Sequence, residues 1–206
     1  CGRACRPVPL DGQGVPPEAL EAAGASVVHL SPAHHYPTGL VTPIGRRQAL
    51  LRWAEKAGGI IIEDDYDSEF RYKGKPIPAL QGMDQTGSVV YMGTFSKAIA
   101  PAIRVGYMVL PESLLSVYRK KGRFYSSTVS RVDQRILANF ISGGYFERHL
   151  NRMREIYKGK HDVLLGALKP LEKRFEIKGE YAGLHVLLTD RKGEAEQALL
   201  AKAEEK

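Results

Sequence analysis

Three charged residues fall where strand-like runs give way to loops, and their types suit one kind of chemistry. Asp64 follows the apolar run Ile60-Ile61-Ile62. Lys97 ends the stretch Gly93-Thr94-Phe95-Ser96-Lys97, directly after Val89-Val90-Tyr91-Met92, and Arg104 leads into another apolar run. Ligands of open α/β sheets collect outside the carboxyl ends of strands, where Asp64 and Lys97 are expected. A lysine with a deprotonated amine can form a Schiff base. A buried carboxylate can hold a pyridinium nitrogen protonated, and the Thr94 and Ser96 hydroxyls with Arg104 can clamp a phosphate. That set fits pyridoxal phosphate. Each member also has an ordinary reading: Asp64 as a cap or the partner of a surface lysine, Lys97 as a solvated turn residue, Arg104 as a salt-bridge partner of Asp64 or Glu63.

The elements that must position these residues are legible in the apolar patterning. Val27 to Leu30 reads as a short strand, ended by Ser31-Pro32, after a Gly- and Pro-rich start with weak periodicity. Thr42-Pro43 predicts an N-cap and first-turn proline for a helix that Gly58-Gly59 ends. Strands follow at 60–62, 89–92 and 105–110, so strand, loop, helix, strand predicts a mostly parallel sheet. The connection 67–87 is longer than α/β loops usually are, which itself hints at function. Helices are expected at 112–121, 130–141 and 145–169, with Gly159 and Gly166 weakening the continuity of the last. Strands at 175–178 and 184–188 and a helix from 194 to 206 complete the pattern. The expected organisation is a large unit over 1–144 and a connecting helix with an incomplete smaller α+β unit over 145–206.

Composition narrows the classes. The chain has 206 residues, 43% hydrophobic and 26% charged, which predicts a globular fold with a real core rather than disorder. No apolar run approaches the length of a membrane span, and no signal-peptide pattern is present, so a cytoplasmic protein without membrane association is expected. The formal charge of +7 is spread along the chain. Its densest clusters, at 119–123 and 148–160, fall on expected helices, where they read as solvated faces rather than a nucleic-acid surface. Cys1 and Cys5 lack a second ligand pair nearby, so no metal site is expected.

Four segments carry a resemblance: Tyr36-Pro37-Thr38-Gly39; Ile61 to Phe70, reading Ile-Ile-Glu-Asp-Asp-Tyr-Asp-Ser-Glu-Phe; Ile77-Pro78-Ala79-Leu80; and Tyr91 to Lys97 followed by Arg104-Val105-Gly106-Tyr107. Over about residues 7–206 the chain resembles the fold-type-I, pyridoxal phosphate-dependent aminotransferases. More closely, it resembles the aminotransferase-like domain of MocR-type regulators of the GntR superfamily. The resemblance implies a three-layer, mostly parallel α/β fold. It implies that Lys97 bonds the cofactor covalently, Asp64 pairs with the pyridinium nitrogen and Tyr66 meets the 3′ oxygen. Thr94, Ser96 and Arg104 would meet the phosphate, and the turn after Tyr36 would pack beside the ring. His34 and His35 are expected to be structural more than pocket-lining.

Two departures separate the chain from ordinary aminotransferases. Tyr36 stands before Pro-Thr-Gly where those enzymes carry Asn, and the tyrosine after Asp64 is two residues on, at Tyr66, with Asp67 at the third position. Both match the MocR-type pattern and put efficient transamination in doubt. The resemblance also implies a longer parent, a homodimer with an amino-acid or amine effector, and operator DNA bound through a separate N-terminal winged-helix domain. The chain is then expected to be a sensor fragment of a transcription regulator, with transaminase activity absent or weak. The alternative is a true aminotransferase of amino acids and 2-oxo acids.

Overall fold

The computed structural model describes residues 4–204, so Cys1 and the last two residues of the expected C-terminal helix lie outside the described residues. Cys5 is a free, exposed thiol. The chain order begins with a short helix α1 (Pro17–Ala22), strand β1 (Val27–Leu30), helix α2 (Ile44–Ala57) and strand β2 (Ile60–Asp65). A single helical turn α3 (Leu80–Met83) precedes β3 (Val89–Thr94), and the turn α4 (Phe95–Ala98) precedes the edge strand β4 (Gly106–Val109). Helices α5 (Glu112–Gly122), α6 (Arg131–Ser142) and α7 (Tyr145–Leu168) follow, then β5 (Phe175–Lys178), β6 (Leu187–Asp190) and α8 (Glu196–Glu204).

The sheet order is β1-β2-β3-β4. β1, β2 and β3 run parallel, in a register that sets His29 against Ile62 and Asp64 against Met92. β4 returns antiparallel to β3, so the sheet is mixed at this edge. β5 and β6 form a separate antiparallel pair. Fold type and mostly parallel order thus agree with expectation, and the last strand sits at 187–190 rather than 184–188. α7 runs unbroken through Gly159 and Gly166.

One face of the sheet is the core. Val28 and Leu30 of β1, Ile61 of β2 and Val89 of β3 pack with Leu20 of α1, Leu50, Trp53 and Ala54 of α2, and Leu80 of α3. Strand alternation therefore turns Ile61 and Glu63 inward and leaves Asp64 on the opposite face. Glu63 is 1% exposed, and both its carboxylate oxygens accept backbone N–H groups, from Leu80 and Gln81, each at 2.9 Å. Burial pushes this carboxyl above its usual range, against the pull of those N–H groups and of Arg47.

Arg47 is the largest fully buried side chain. Its guanidinium donates to the carbonyls of Thr42 at 3.0 Å, Pro78 at 2.9 Å and Pro32 at 2.8 Å. Glu63 lies 3.9 Å away, too far for a hydrogen bond, so the carbonyls are its direct partners. One residue of α2 thereby ties down the loop after β1, the entry to α2 and the connection before α3.

The start of α2 departs from expectation. Pro43, not Thr42, is the N-cap, and no side chain caps the helix; the buried Thr42 gives its carbonyl to Arg47 instead. At the other end Gly58 takes φ +60°, the left-handed conformation that closes a helix at little cost to glycine. α6 has the expected start, with Ser130 accepting from the Asp133 N–H. Among the described residues, no helix is long and apolar enough to cross a membrane.

Candidate functional site

At the carboxyl ends of β1 and β2 the non-core face of the sheet opens into a cavity of about 580 Å³. Asp64, Tyr66, Lys97 and Tyr36 all line it, so four of the residues expected at the site come together. β2 continues three residues past Ile62 to Asp65, which places Asp64 within the strand and fixes its position by sheet register. Its Oδ2 lies 3.3 Å from His29 Nε2 on β1, which has the same facing. Among the described residues, neither Arg104 nor a surface lysine is its partner.

Lys97 stands in α4, exposed at the cavity. Thr94 caps this turn by accepting from the Ser96 N–H at 3.1 Å, and its hydroxyl is 3.0 Å from Ser96 Oγ and 3.3 Å from the Val105 carbonyl. Thr94 and Ser96 thus shape the turn that carries Lys97. Arg104 is exposed, with φ +50°, at the entry to β4. These three do not border the cavity formed by the described residues.

Tyr66 donates its hydroxyl to the His34 carbonyl at 2.6 Å. Burial, followed by the neighbouring Asp67 and Asp64 carboxylates, pushes its phenol well above the usual range, so it remains a donor at any physiological pH. Tyr36 is 70% exposed and its ring meets His185 edge-on, with centroids 5.3 Å apart. His35 lines the cavity, and its Nδ1 is 2.9 Å from Thr38 Oγ1; burial depresses its proton affinity, favouring the neutral ring. His34 is different. It is 1% exposed and pairs with Asp67 through Nδ1 and Oδ2 at 2.9 Å.

Asp67, His29 and His185 are wall residues that sequence reasoning missed. His185 arrives from the C-terminal part of the chain. That segment is held to the 70–73 connection by a bridge between Arg71 and Ala182, by the Gly183 N–H on the Phe70 carbonyl at 2.7 Å, and by the Leu184 N–H on Asp67 Oδ2 at 3.2 Å. The long connection 67–87 is therefore a docking edge for the segment that completes the cavity. No local pattern marks His185; only Asp67, beside Asp64 and Tyr66 in a carboxylate-rich stretch, offered a signal.

Comparisons with known proteins agree with this architecture. The family model "Aminotransferase class I and II" matches residues 1–204. The HTH-type transcriptional regulator YhdI of Bacillus subtilis is 44% identical over 183 residues, covering 88% of this chain and 39% of that protein. The probable rhizopine catabolism regulatory protein MocR of Rhizobium meliloti is 36% identical over 159 residues, 77% of this chain and 32% of that protein. Among solved structures, the Pyrococcus horikoshii kynurenine aminotransferase superposes with a TM-score of 0.84 at 29% identity, covering 96% of this chain and 52% of that one. The chain spans about two fifths of the length of the first curated relatives it matches. With strand-end aspartate, turn lysine and sheet order all in place, the chain belongs to the class I and II aminotransferase family, and it matches MocR-type regulators over part of their length.

Proposed function

We propose that this chain is the pyridoxal phosphate-binding, effector-sensing core of a DNA-binding transcription regulator. The observation that carries the reading is the convergence of Lys97, Asp64, Tyr66 and Tyr36 on one cavity, in a chain whose relatives include HTH-type regulators. The cavity's volume falls in the range of cofactor sites, and its donor set, one amine and one carboxylate at the carboxyl ends of neighbouring strands, fits the group. When bound, the cofactor supplies a carbonyl for covalent capture of amines and a ring that withdraws electrons. Lys97 supplies the attaching amine. Asp64, with His29 behind it, holds a proton on the ring nitrogen. Tyr66, whose hydroxyl donates to the His34 carbonyl, would be the donor to the 3′ oxygen. Thr94, Ser96 and Arg104 receive the phosphate in the longer protein.

In that protein an amino-acid or amine effector would compete with the Lys97 amine for the cofactor. The resulting difference in affinity between two states shifts operator binding by a separate domain. We assign residues 1–144 to the larger unit and 145–206 to the smaller, in a cytoplasmic homodimer. The exposure of Phe124 at 78% and Tyr125 at 82%, with Val132 and Ile136 close in sequence, supports an interface there. The test is a titration of the full-length protein with pyridoxal phosphate and then with amines, followed by operator mobility shift. Amine-dependent change in operator affinity supports the reading; cofactor-independent binding refutes it.

The likeness to kynurenine aminotransferase favours a second reading, an enzyme acting on amino acids and 2-oxo acids. Lys97 would then also move the proton at the substrate carbon. Stoichiometric release of a 2-oxo acid over many turnovers would favour it over the sensor.

A further inference from the structure

Asp67 is a buried carboxylate outside any strand or helix, and one of its oxygens does all the bonding. Oδ2 lies 2.9 Å from His34 Nδ1 and accepts the Leu184 N–H at 3.2 Å. Oδ1 is buried with no partner among the described residues. A carboxylate oxygen only accepts, so His34 Nδ1 is the donor. Burying a carboxylate with one oxygen unpaired costs stability, and rules of polar pairing are broken most often at functional sites.

The two donors come from distant parts of the chain, and each leads to the cavity. His34 lies in the loop after β1, and its backbone carbonyl accepts the Tyr66 hydroxyl at 2.6 Å. It is thus held at two points, its ring by Asp67 and its carbonyl by Tyr66. Leu184 lies in the C-terminal segment, and both it and His185 line the cavity. That segment lies directly against the pair. Gly183 takes φ +76°, and a Cβ there would strike His34 Nδ1 and come within 2.6 Å of Asp67 Oδ2. The same segment touches the turn after Tyr36, since a Cβ on Gly179 would stand 3.1 Å from Gly39 Cα. A line of contacts therefore runs from the Leu184 N–H through Asp67 Oδ2 and the His34 ring to the His34 carbonyl and the Tyr66 hydroxyl.

We propose that Asp67 is a positioning residue for Tyr66. By holding the His34 ring it sets the carbonyl that fixes where the Tyr66 phenol oxygen stands. By holding Leu184 it makes that position depend on how the C-terminal segment is docked. The proposal rests on the cofactor reading, in which Tyr66 is the donor to the 3′ oxygen. A side chain locked by a hydrogen bond behind it gives up less freedom when it meets a ligand.

The test is a double-mutant cycle on the full-length protein, read by the dissociation constant and the visible absorption band of bound pyridoxal phosphate. Tyr66→Phe should weaken the cofactor about tenfold and move the band, because the 3′ oxygen loses its donor. Asp67→Ala should weaken it at least about fivefold and move the band in the same direction. In the Tyr66→Phe background the same change should add less than about twofold and no further band shift. Asp67→Asn keeps an acceptor oxygen and sets its amide NH2 where Oδ1 has no partner, so it should restore binding to within about twofold of wild type. A band unmoved in Asp67→Ala, or an equal loss in both backgrounds, marks a merely structural carboxylate; it overturns the proposal and leaves the cofactor reading standing. No saturable binding by the wild type overturns both. Hydrogen exchange decides the matter even where Asp67→Ala fails to fold. Pyridoxal phosphate should change exchange of the Leu184 amide in the wild type but not in Tyr66→Phe, and unchanged exchange in the wild type overturns the proposal.

Discussion

Replacing Arg47 by methionine should cost more stability than any other single change outside the cavity, because this one side chain satisfies three loops at once. It is 2% exposed and donates to the Thr42, Pro78 and Pro32 carbonyls. Hydrogen bonds from a charged donor contribute about 1.5–3 kcal/mol each, short of additive because they share one group. Removing one partner of a buried ionic arrangement costs about 3–5 kcal/mol. We expect Arg47→Met to lose about 3–5 kcal/mol, a large part of the roughly 5–15 kcal/mol that holds a typical domain. Arg47→Lys keeps the charge but cannot reach three carbonyls, and should lose about half as much.

The loss should depend on pH through Glu63. Its folded carboxyl sits above the ordinary value of 4.5 because burial disfavours the charge, while Arg47 pulls it back down. Below 4.5 the group is protonated in both states and costs nothing. As pH rises through that value the unfolded chain releases its proton first, so stability falls until the folded pKa is passed. Without Arg47 the folded pKa rises further, and the cost of Arg47→Met should grow from acid to neutral pH. Urea unfolding followed by circular dichroism, at several pH values, reads both effects with an unchanged m-value. A loss under about 1 kcal/mol at neutral pH, or one flat with pH, would refute the clamp.

Asp84 accepts the Ser88 and Val89 N–H groups at 2.7 and 2.8 Å and the Thr86 N–H at 2.9 Å, at the entry to β3. Burial alone would raise its pKa, but these bonds outweigh it and hold the carboxyl below 3.8. Asp84→Ala should lose about 1–2 kcal/mol at neutral pH in urea unfolding, and the difference should vanish as pH falls through the depressed folded pKa. Gly183→Ala forces a side chain into a left-handed conformation against His34, and should lose at least about 1–2 kcal/mol by thermal melt. Phe124→Asp with Tyr125→Asp should shift the proposed homodimer toward monomer in light scattering without lowering the melting temperature; an unchanged dimer would place the interface elsewhere.

Much of the fold was legible because buried parallel strands are short apolar runs, and 27–30, 60–62 and 89–92 stand out. The direction of the last strand was not: an apolar run such as 105–110 reads alike in either sense, and the tight return through α4 makes β4 antiparallel. α1 was hidden among glycines and prolines, where six residues give too little periodicity. Thr42 looked like a cap by residue type, but Arg47 claims its carbonyl and Pro43 takes the position. At the site, Asp64, Tyr66 and Lys97 were readable because strand ends carry ligands. His185 was not, because what brings it to Asp67 is pairing of segments far apart in the chain. Thr94, Ser96 and Arg104 were grouped by residue type, and the first two also shape the turn that presents Lys97.

The most direct measurement of the central claim is covalent. The protein is incubated with pyridoxal phosphate, reduced with borohydride, digested and mapped by mass spectrometry. The account predicts a single pyridoxyl adduct on Lys97, lost in Lys97→Ala and weakened in Asp64→Asn. Labelling spread over surface lysines, or undiminished in Lys97→Ala, would contradict it.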